Sequence, residues 1–407
     1  SDVYKRQDDT FLGGSIARDL GDSDVEQLLH DRFDSKVYAL FGQLNYDVTD
    51  TVEASLALRW DREERKVRNL VNPMATTSYI DLDPIGETGG SPLIPWDDGG
   101  SPLNVGLLSF PGGIPAQKKA FEQFQPKASV TWDVNEDWTL YANWGMGFKS
   151  GGFNNQGSAA TIDTFLNDLI EFVYLSPQPR VMLSDVFEKE TSSAFEVGFK
   201  ASLMDGDLDL TGAVYHNTID DMQAFEFFVG PFGLLRVVNN IDEVVIKGVE
   251  LAANARLTDG LTAYASVNVL DSEIEKNAVR PDTIGNKSPY TADYTFNAGV
   301  QYEMPLGNTD LNLVTRLDYQ HVGPTWFHAV QDQSRTVGLG FEGDYRKTER
   351  DDYGTLDLRV GVEADRWSIT AYASNLLDEE YLEEVIPAPE FGGSFIHPAE
   401  QRRFGIE

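Results

Sequence analysis

From Thr139 to Lys149 the side chains alternate between two kinds. Leu140, Ala142, Trp144, Met146 and Phe148 are apolar, while Thr139, Tyr141, Asn143, Gly145, Gly147 and Lys149 are polar, amphipathic or lack a side chain. Successive residues of a strand point to opposite faces, so this segment is a strand with one apolar face and one wet face. Its length of about eleven residues exceeds the five or six of an ordinary strand. It matches the roughly nine to eleven that a tilted strand needs to cross a bilayer. The pattern recurs along the chain, and it limits the fold more than any other feature.

The recurrences fall into hairpins. Tyr38, Leu40, Leu44, Tyr46 and Val48 share a face, and after a turn at Thr49-Asp50 so do Val52, Ala54, Leu56, Leu58 and Trp60. Ala128, Val130, Trp132 and Val134 lead through Asn135-Glu136-Asp137 into the Thr139 segment. Phe195, Val197, Phe199, Ala201 and Leu203 reach Asp205-Gly206, a dipeptide suited to a tight hairpin because glycine accepts positive φ. Further hairpins are expected around Thr258-Asp259-Gly260, Leu306-Gly307-Asn308 and Asp365-Arg366, with a last strand from about Ser394 to the end. The pattern predicts about thirteen strands.

Every hairpin closes with a short turn, whereas the links between hairpins are long. The long links are expected near 68–120, 150–188, 222–243, 275–290, 323–353 and 377–393. Antiparallel strands alternate direction, so the short turns share one end and the long loops the other. Short periplasmic turns opposite long extracellular loops are the asymmetry of a bacterial outer-membrane barrel. Soluble sandwiches and propellers also alternate, but they rarely combine strands this long with loops so one-sided. The fold expected is therefore all-β, an antiparallel transmembrane β-barrel. Trp60, Trp138, Phe148, Tyr302 and Trp367 near strand ends suit the two interfaces.

Composition is consistent with this. Mean hydropathy is -0.32, and no apolar run approaches the roughly 18 residues of a membrane helix, because lumen-facing residues dilute the lipid-facing ones. The formal net charge is -34, which excludes nucleic acid as a partner. Much of the acidity lies in expected loops, such as Asp81, Asp83, Glu87, Asp97 and Asp98, and reads as solvated loop charge. There is no cysteine, which removes disulfides, thiolate metal sites and cysteine nucleophiles. Residues 1–7, Ser1 to Gln7, read as a non-native leader, leaving 8–407 as one partial barrel domain.

Four segments resemble one family in order. Gly147-Phe148-Lys149-Ser150-Gly151-Gly152-Phe153-Asn154 is similar to a "GFKSGGFN" stretch of TonB-dependent outer-membrane receptors. Glu190-Thr191 with Phe195 to Lys200 resembles their "ET…EvGfK" strand, and Asn239-Asn240 followed by Lys247-Gly248-Val249-Glu250 their "N…kGvE" segment. Asn375 to Tyr381 looks like their "NLlDeeY". The resemblance implies outer-membrane import of a scarce nutrient, typically a ferric siderophore or other iron chelate, in some members cobalamin or carbohydrate. It implies as partners the membrane lipid, the ligand, the TonB complex acting through an N-terminal plug, and the barrel-assembly machinery. The family barrel has 22 strands around a plugged lumen, so about thirteen make this chain a fragment lacking the plug and truncated at both ends. A passive porin-like barrel is the alternative.

No catalytic constellation is present, and no enzyme activity or cofactor is expected. His30, His216, His321, His328 and His397 are dispersed without a metal-ligand spacing, and no serine lies in a nucleophile elbow. Binding is the better prospect. Arg59, Asn143, Lys149, Lys200, Tyr215, Arg316 and Arg359 fall on wet faces and are candidate lumen contacts for an anionic chelate. The alternative is that such charges simply pair with neighbouring carboxylates or with the plug. Phe153 and Asn154 open a long loop and are candidate ligand contacts on the resemblance alone.

Overall fold

Backbone pairing organises the molecule. The computed structural model describes residues 30–70, 77–78, 108–109, 114–163, 167, 180–230, 233–332, 334–336, 342–388 and 393–407. The segment 1–7 and most of the 68–120 link lie outside them. Thirteen strands form one sheet in which each pairs with its sequence neighbours: β1 Asp31–Thr49, β2 Val52–Asn69, β3 Gln117–Asp133, β4 Trp138–Lys149, β5 Glu190–Leu203 and β6 Leu208–Gly230. They continue as β7 Gly233–Thr258, β8 Leu261–Lys276, β9 Tyr294–Pro305, β10 Asn312–Val322, β11 Tyr353–Ala364, β12 Trp367–Ser374 and β13 Arg403–Ile406. All pairs are antiparallel.

Register places the apolar residues on one face. Leu40 lies opposite Trp60, Leu44 opposite Leu56, Ala142 opposite Val197, and Val300 opposite Leu317. This face is open: Leu40 is 72% exposed, Leu44 67% and Leu251 49%. A soluble protein would cover so continuous an apolar surface, whereas a barrel turns it to lipid. Trp144 belongs to it, and its indole Nε1 donates to Ser193 Oγ at 3.0 Å. Asn143 and Lys149 lie on the opposite, inward face.

The inward face carries a recurring cross-strand pair, tyrosine opposite glycine. Tyr141 faces Gly198, Tyr215 faces Gly248, Tyr264 faces Gly299, and Tyr372 faces Gly405. A Cβ on any of these glycines would collide with the facing ring. The missing side chain lets each ring lie against the neighbouring backbone, a device that compensates for glycine's poor fit in a strand.

Two connections differ from expectation. Residues 222–243 are not a loop: β6 and β7 run on as a hairpin in which Phe225 faces Val238 and Phe228 faces Leu235. The register runs on unchanged: Asp220 pairs with Glu243 and Met222 with Ile241, and Asp221 between them has φ 55. The sequence hides the continuity, because Asp220-Asp221 and the run Phe225 to Phe228 break the apolar–polar alternation, so a strict period-two reading stops there. Near the C-terminus, Gly393–Pro398 pairs with Leu382–Ala388 as a separate ribbon, and the last sheet strand is only β13.

Two outcomes follow. Gly248→Leu is expected to destabilise the barrel by about 1–3 kcal/mol through overpacking against Tyr215. Adding Tyr215→Ala should recover most of that loss in denaturant titration, giving a non-additive double-mutant cycle. Within this hairpin, burial first and then the Asp242 and Glu188 carboxylates push the Asp221 carboxyl above its ordinary range. A raised acid stabilises the fold fully only while protonated, and that contribution fades as pH climbs through its raised value. Asn tolerates positive φ, so Asp221→Asn should raise the thermal midpoint at pH 7 and change it little below about pH 4.

Candidate functional site: a loop-end cavity above a polar inner wall

The inward face is a ladder of paired polar groups. Arg59 Nε donates to Asp61 Oδ2 at 2.6 Å, and Gln125 Nε2 donates to the same oxygen at 2.5 Å. Asn143 Nδ2 reaches Glu196 at 3.3 Å, and the Tyr215 hydroxyl donates to Asn268 at 3.1 Å. Lys149 lies 3.9 Å from Glu190. Arg316 Nε meets Asp318 at 2.8 Å below the Tyr264 hydroxyl, which also donates to Asp318 at 2.7 Å. Arg359 stands opposite Arg316 in register. Arg316, Arg359, Tyr264 and Asp318 thus share one patch of wall, while Arg59 lies on β2 at the far side of the strand order. Most of the positive charge is answered within a few ångströms, so the wall presents pairs rather than free cations.

Phe153 and Asn154 are interior residues of the loop, 8% and 5% exposed. Asn154 uses its amide on backbone: Nδ2 donates to the Ser184 and Val238 carbonyls at 2.9 Å, and Oδ1 accepts from Val238 N–H at 2.8 Å. It clamps the 150–163 loop to β7. This loop contains a short α-helix, Ser158–Ile162.

The open space lies elsewhere, between the extended β6–β7 hairpin and two loops. A cavity of about 160 Å³ is bounded by Phe225 and Glu226 of β6, Asn239 and Ile241 of β7, Val279, Arg280 and Tyr290 of one loop, and Phe327 and His328 of the other. Its base is apolar: Ile219, Ile241, Val244 and Ile274 form a buried cluster against which Met222 and Ala329 pack. Phe327 meets Tyr290 edge-on with ring centres 5.4 Å apart.

A buried ion pair stands in this setting. Arg280 Nη1 donates to Glu226 Oε1 at 2.8 Å, and Asn239 Nδ2 donates to Oε2 at 2.5 Å. Both side chains of the ion pair are less than one-fifth exposed. Arg280 Nε is buried without a hydrogen-bond acceptor. The Arg236 guanidinium lies 3.8 Å from the Phe225 ring centre, a cation–π contact.

Local sequence holds Arg280 in place. Pro281 starts a single 3-10 turn, Pro281–Thr283, where its fixed φ is no hindrance. Asn277 Oδ1 accepts from the Arg280 N–H at 3.0 Å, and Thr283 Oγ1 donates to the Arg280 carbonyl at 2.8 Å. The two loops are tied to each other by Asn286 Nδ2 on the Ala329 carbonyl at 2.7 Å and by Tyr290 N–H on the Trp326 carbonyl at 2.7 Å. Burial and a hydrogen bond to Glu384 at 2.9 Å raise the Tyr290 hydroxyl above the ordinary tyrosine range. That phenol therefore stays neutral throughout the physiological range.

None of the nine residues singled out from the sequence lines this cavity. Its walls come from chain segments about 50 residues apart, which periodicity does not connect. The one available signal was the aromatic run Phe225, Phe227 and Phe228 inside a presumed loop. Among the described residues, no group of three or more His, Asp or Glu side chains is placed to hold a metal ion.

The thirteen-stranded antiparallel sheet has counterparts. A family model for "TonB dependent receptor-like, beta-barrel" matches residues 2–376. The chain belongs to the TonB-dependent receptor β-barrel family. Its family consists of transport receptors of the outer membrane, and that is where this barrel resides. The pesticin receptor of Yersinia enterocolitica is 22% identical over 358 residues, covering 88% of this chain and 43% of that protein. Among solved structures, the ferric yersiniabactin uptake receptor FyuA from Yersinia pestis superposes with a TM-score of 0.63 at 18% identity, over 92% of this chain and 45% of that one. The ferric-catecholate import receptor Fiu from E. coli K12 gives 0.58 at 15% identity, covering 92% and 44%. The chain therefore spans less than half the length of these relatives.

Glu226→Gln is expected to leave Arg280 without its full counter-charge and to cost about 1–2 kcal/mol. Thermal unfolding and protease cleavage within 277–290 should both report the loss.

Proposed function

We propose that this chain is the barrel part of a receptor that imports a ferric siderophore or other iron chelate across the outer membrane, with energy delivered through TonB. The observation that carries the reading is the loop-end cavity. Its Phe225, Tyr290 and Phe327 rings and aliphatic base suit a flat organic group. The Arg280 and Arg236 guanidinium groups offer positive partners to that group's oxygens, with Glu226 able to accept from a hydroxyl. An iron chelate presents both features, because its organic shell supplies the metal's ligands. The ferric yersiniabactin and ferric-catecholate receptors are named for chelates of this kind.

On this reading the inward wall below the cavity faces a plug through which the TonB complex acts, and insertion depends on the barrel-assembly machinery. Arg59, Asn143, Lys149, Tyr215, Arg316 and Arg359 then line the route inward, while Phe153 and Asn154 support the loop above it. Cobalamin or carbohydrate import uses the same architecture, and a porin-like barrel would pass solutes without energy.

A deletion strain grown under iron limitation on a panel of ferric chelates, cobalamin and carbohydrates tests the proposal. Loss of growth on one ferric chelate is expected, restored by the full-length gene and abolished when the proton-motive force is dissipated. Arg280→Ala with Phe327→Ala should reduce uptake of that chelate by about tenfold or more. Equal growth of deletion and parent on every iron source would sink the iron reading. Uptake that survives loss of the proton-motive force would leave the porin.

A further inference from the structure

The outward face of β1–β3 changes character at one row. Leu40, Trp60 and Phe124 lie side by side in register, all exposed, at the top of the apolar band. The next rows toward the long-loop end place Tyr38 beside Arg62 and Glu122, Lys36 beside Glu64, and Lys66 between Asp34 and Lys118. Arg32 faces Arg68 at the end of the ladder. Arg32, Lys36, Arg62, Lys66, Arg68 and Lys118 thus stand against only Asp34, Glu64 and Glu122, an excess of three positive charges.

That excess is unusual in a chain whose formal net charge is -34. At the loop-facing end of the outward face of β6–β8, the balance is reversed: Asp220, Glu243, Asp271 and Glu273 outnumber Lys247 and Lys276. The three carboxylates of the basic ladder are already engaged. Arg62 pairs with Glu64 at 3.0 Å and with Glu122, Lys118 pairs with Glu64 at 3.2 Å, and Arg32 and Arg68 approach Asp34 at 3.3 and 3.7 Å. Lys36 and Lys66 are exposed and make no ion pair among the described residues. Arg68 Nε is buried and has no acceptor. The ladder therefore holds unanswered donors immediately above a lipid-facing surface.

We propose that this ladder docks the phosphorylated headgroup of an outer-leaflet lipid, with the acyl chains running down over Leu40, Trp60 and Phe124. Guanidinium and ammonium groups match phosphate oxygens in charge and geometry. A free anion would use only the charged rows, whereas an amphiphile uses both those rows and the apolar row beneath. The site depends on the barrel's placement in the membrane and is independent of its cargo, so the iron-source growth assay and the lipid measurement fail separately.

The test is native mass spectrometry of the detergent-solubilised full-length receptor with phosphatidic acid or with phosphatidylcholine of the same chains. The wild type is expected to retain phosphatidic acid about tenfold better, given the worth of each basic side chain near a charged lipid surface. Lys36→Gln with Lys66→Gln and Arg68→Gln should bring the two lipids close to parity, while Lys247→Gln with Lys276→Gln keeps the preference. Glu64→Gln should strengthen retention of phosphatidic acid, a gain that misfolding cannot produce. Equal retention of both lipids by the wild type, or equal loss in the ladder and control variants, would overturn the proposal. So would complete displacement of phosphatidic acid by an equal concentration of inorganic phosphate, which would make free phosphate the ligand.

Discussion

Hydrocarbon offers no partner to a backbone N–H or C=O, and each one left unpaired there costs several kcal/mol. The uninterrupted ladder from β1 to β13 is the answer to that cost, and the other features follow from it. Pairing fixes which side chains face the same way. One face then meets lipid and is selected for apolarity, while the other meets water and is free to carry charge. The inward ion pairs, Arg59 with Asp61 and Arg316 with Asp318, add little stability of their own where they are solvated. They set the electrostatic character of an inner wall whose shape the backbone pairing has already fixed.

The membrane part was legible because its rules are local. Period-two alternation assigns Trp144 and Asn143 to opposite faces without reference to any other strand, and turn chemistry at Asp205-Gly206 needs only its own residues, with Gly206 at φ 88. Legibility failed where the alternation lapsed. Around Asp220-Asp221 and Phe225 to Phe228 the mixed sequence made a continuing hairpin look like a loop, although the register runs on unchanged. It failed again at the cavity, since Glu226, Arg280 and Phe327 meet only after three distant segments have packed. Asn154, a conspicuous polar residue in a family motif, uses its amide to hold a loop to β7, a contact that alternation does not reveal.

The chain thus divides its labour by height along the strand. In the band facing lipid, repetition suffices, and neighbouring strands are nearly interchangeable in pattern. Above it, each element is individual. The β6–β7 hairpin climbs out of the sheet, loops 277–290 and 323–332 are cross-tied by Asn286 and Gln331, and the outward surface becomes basic at β1–β3 but acidic at β6–β8. Individual side-chain chemistry is concentrated where the membrane no longer dictates composition.

The tyrosine–glycine pairs bear on how such a wall can change over time. Tyr215 and Gly248 together fill the space that two ordinary residues would share, one supplying the ring and the other the recess that receives it. Neither half has an acceptable substitute while the other stays. A lineage altering the bore at these heights must therefore cross a two-step path, and the intermediate is either overfilled or hollow. The tyrosines that look like adaptable contact residues are in this respect among the least free to drift, and change is easier to accommodate in the loops than in the barrel wall.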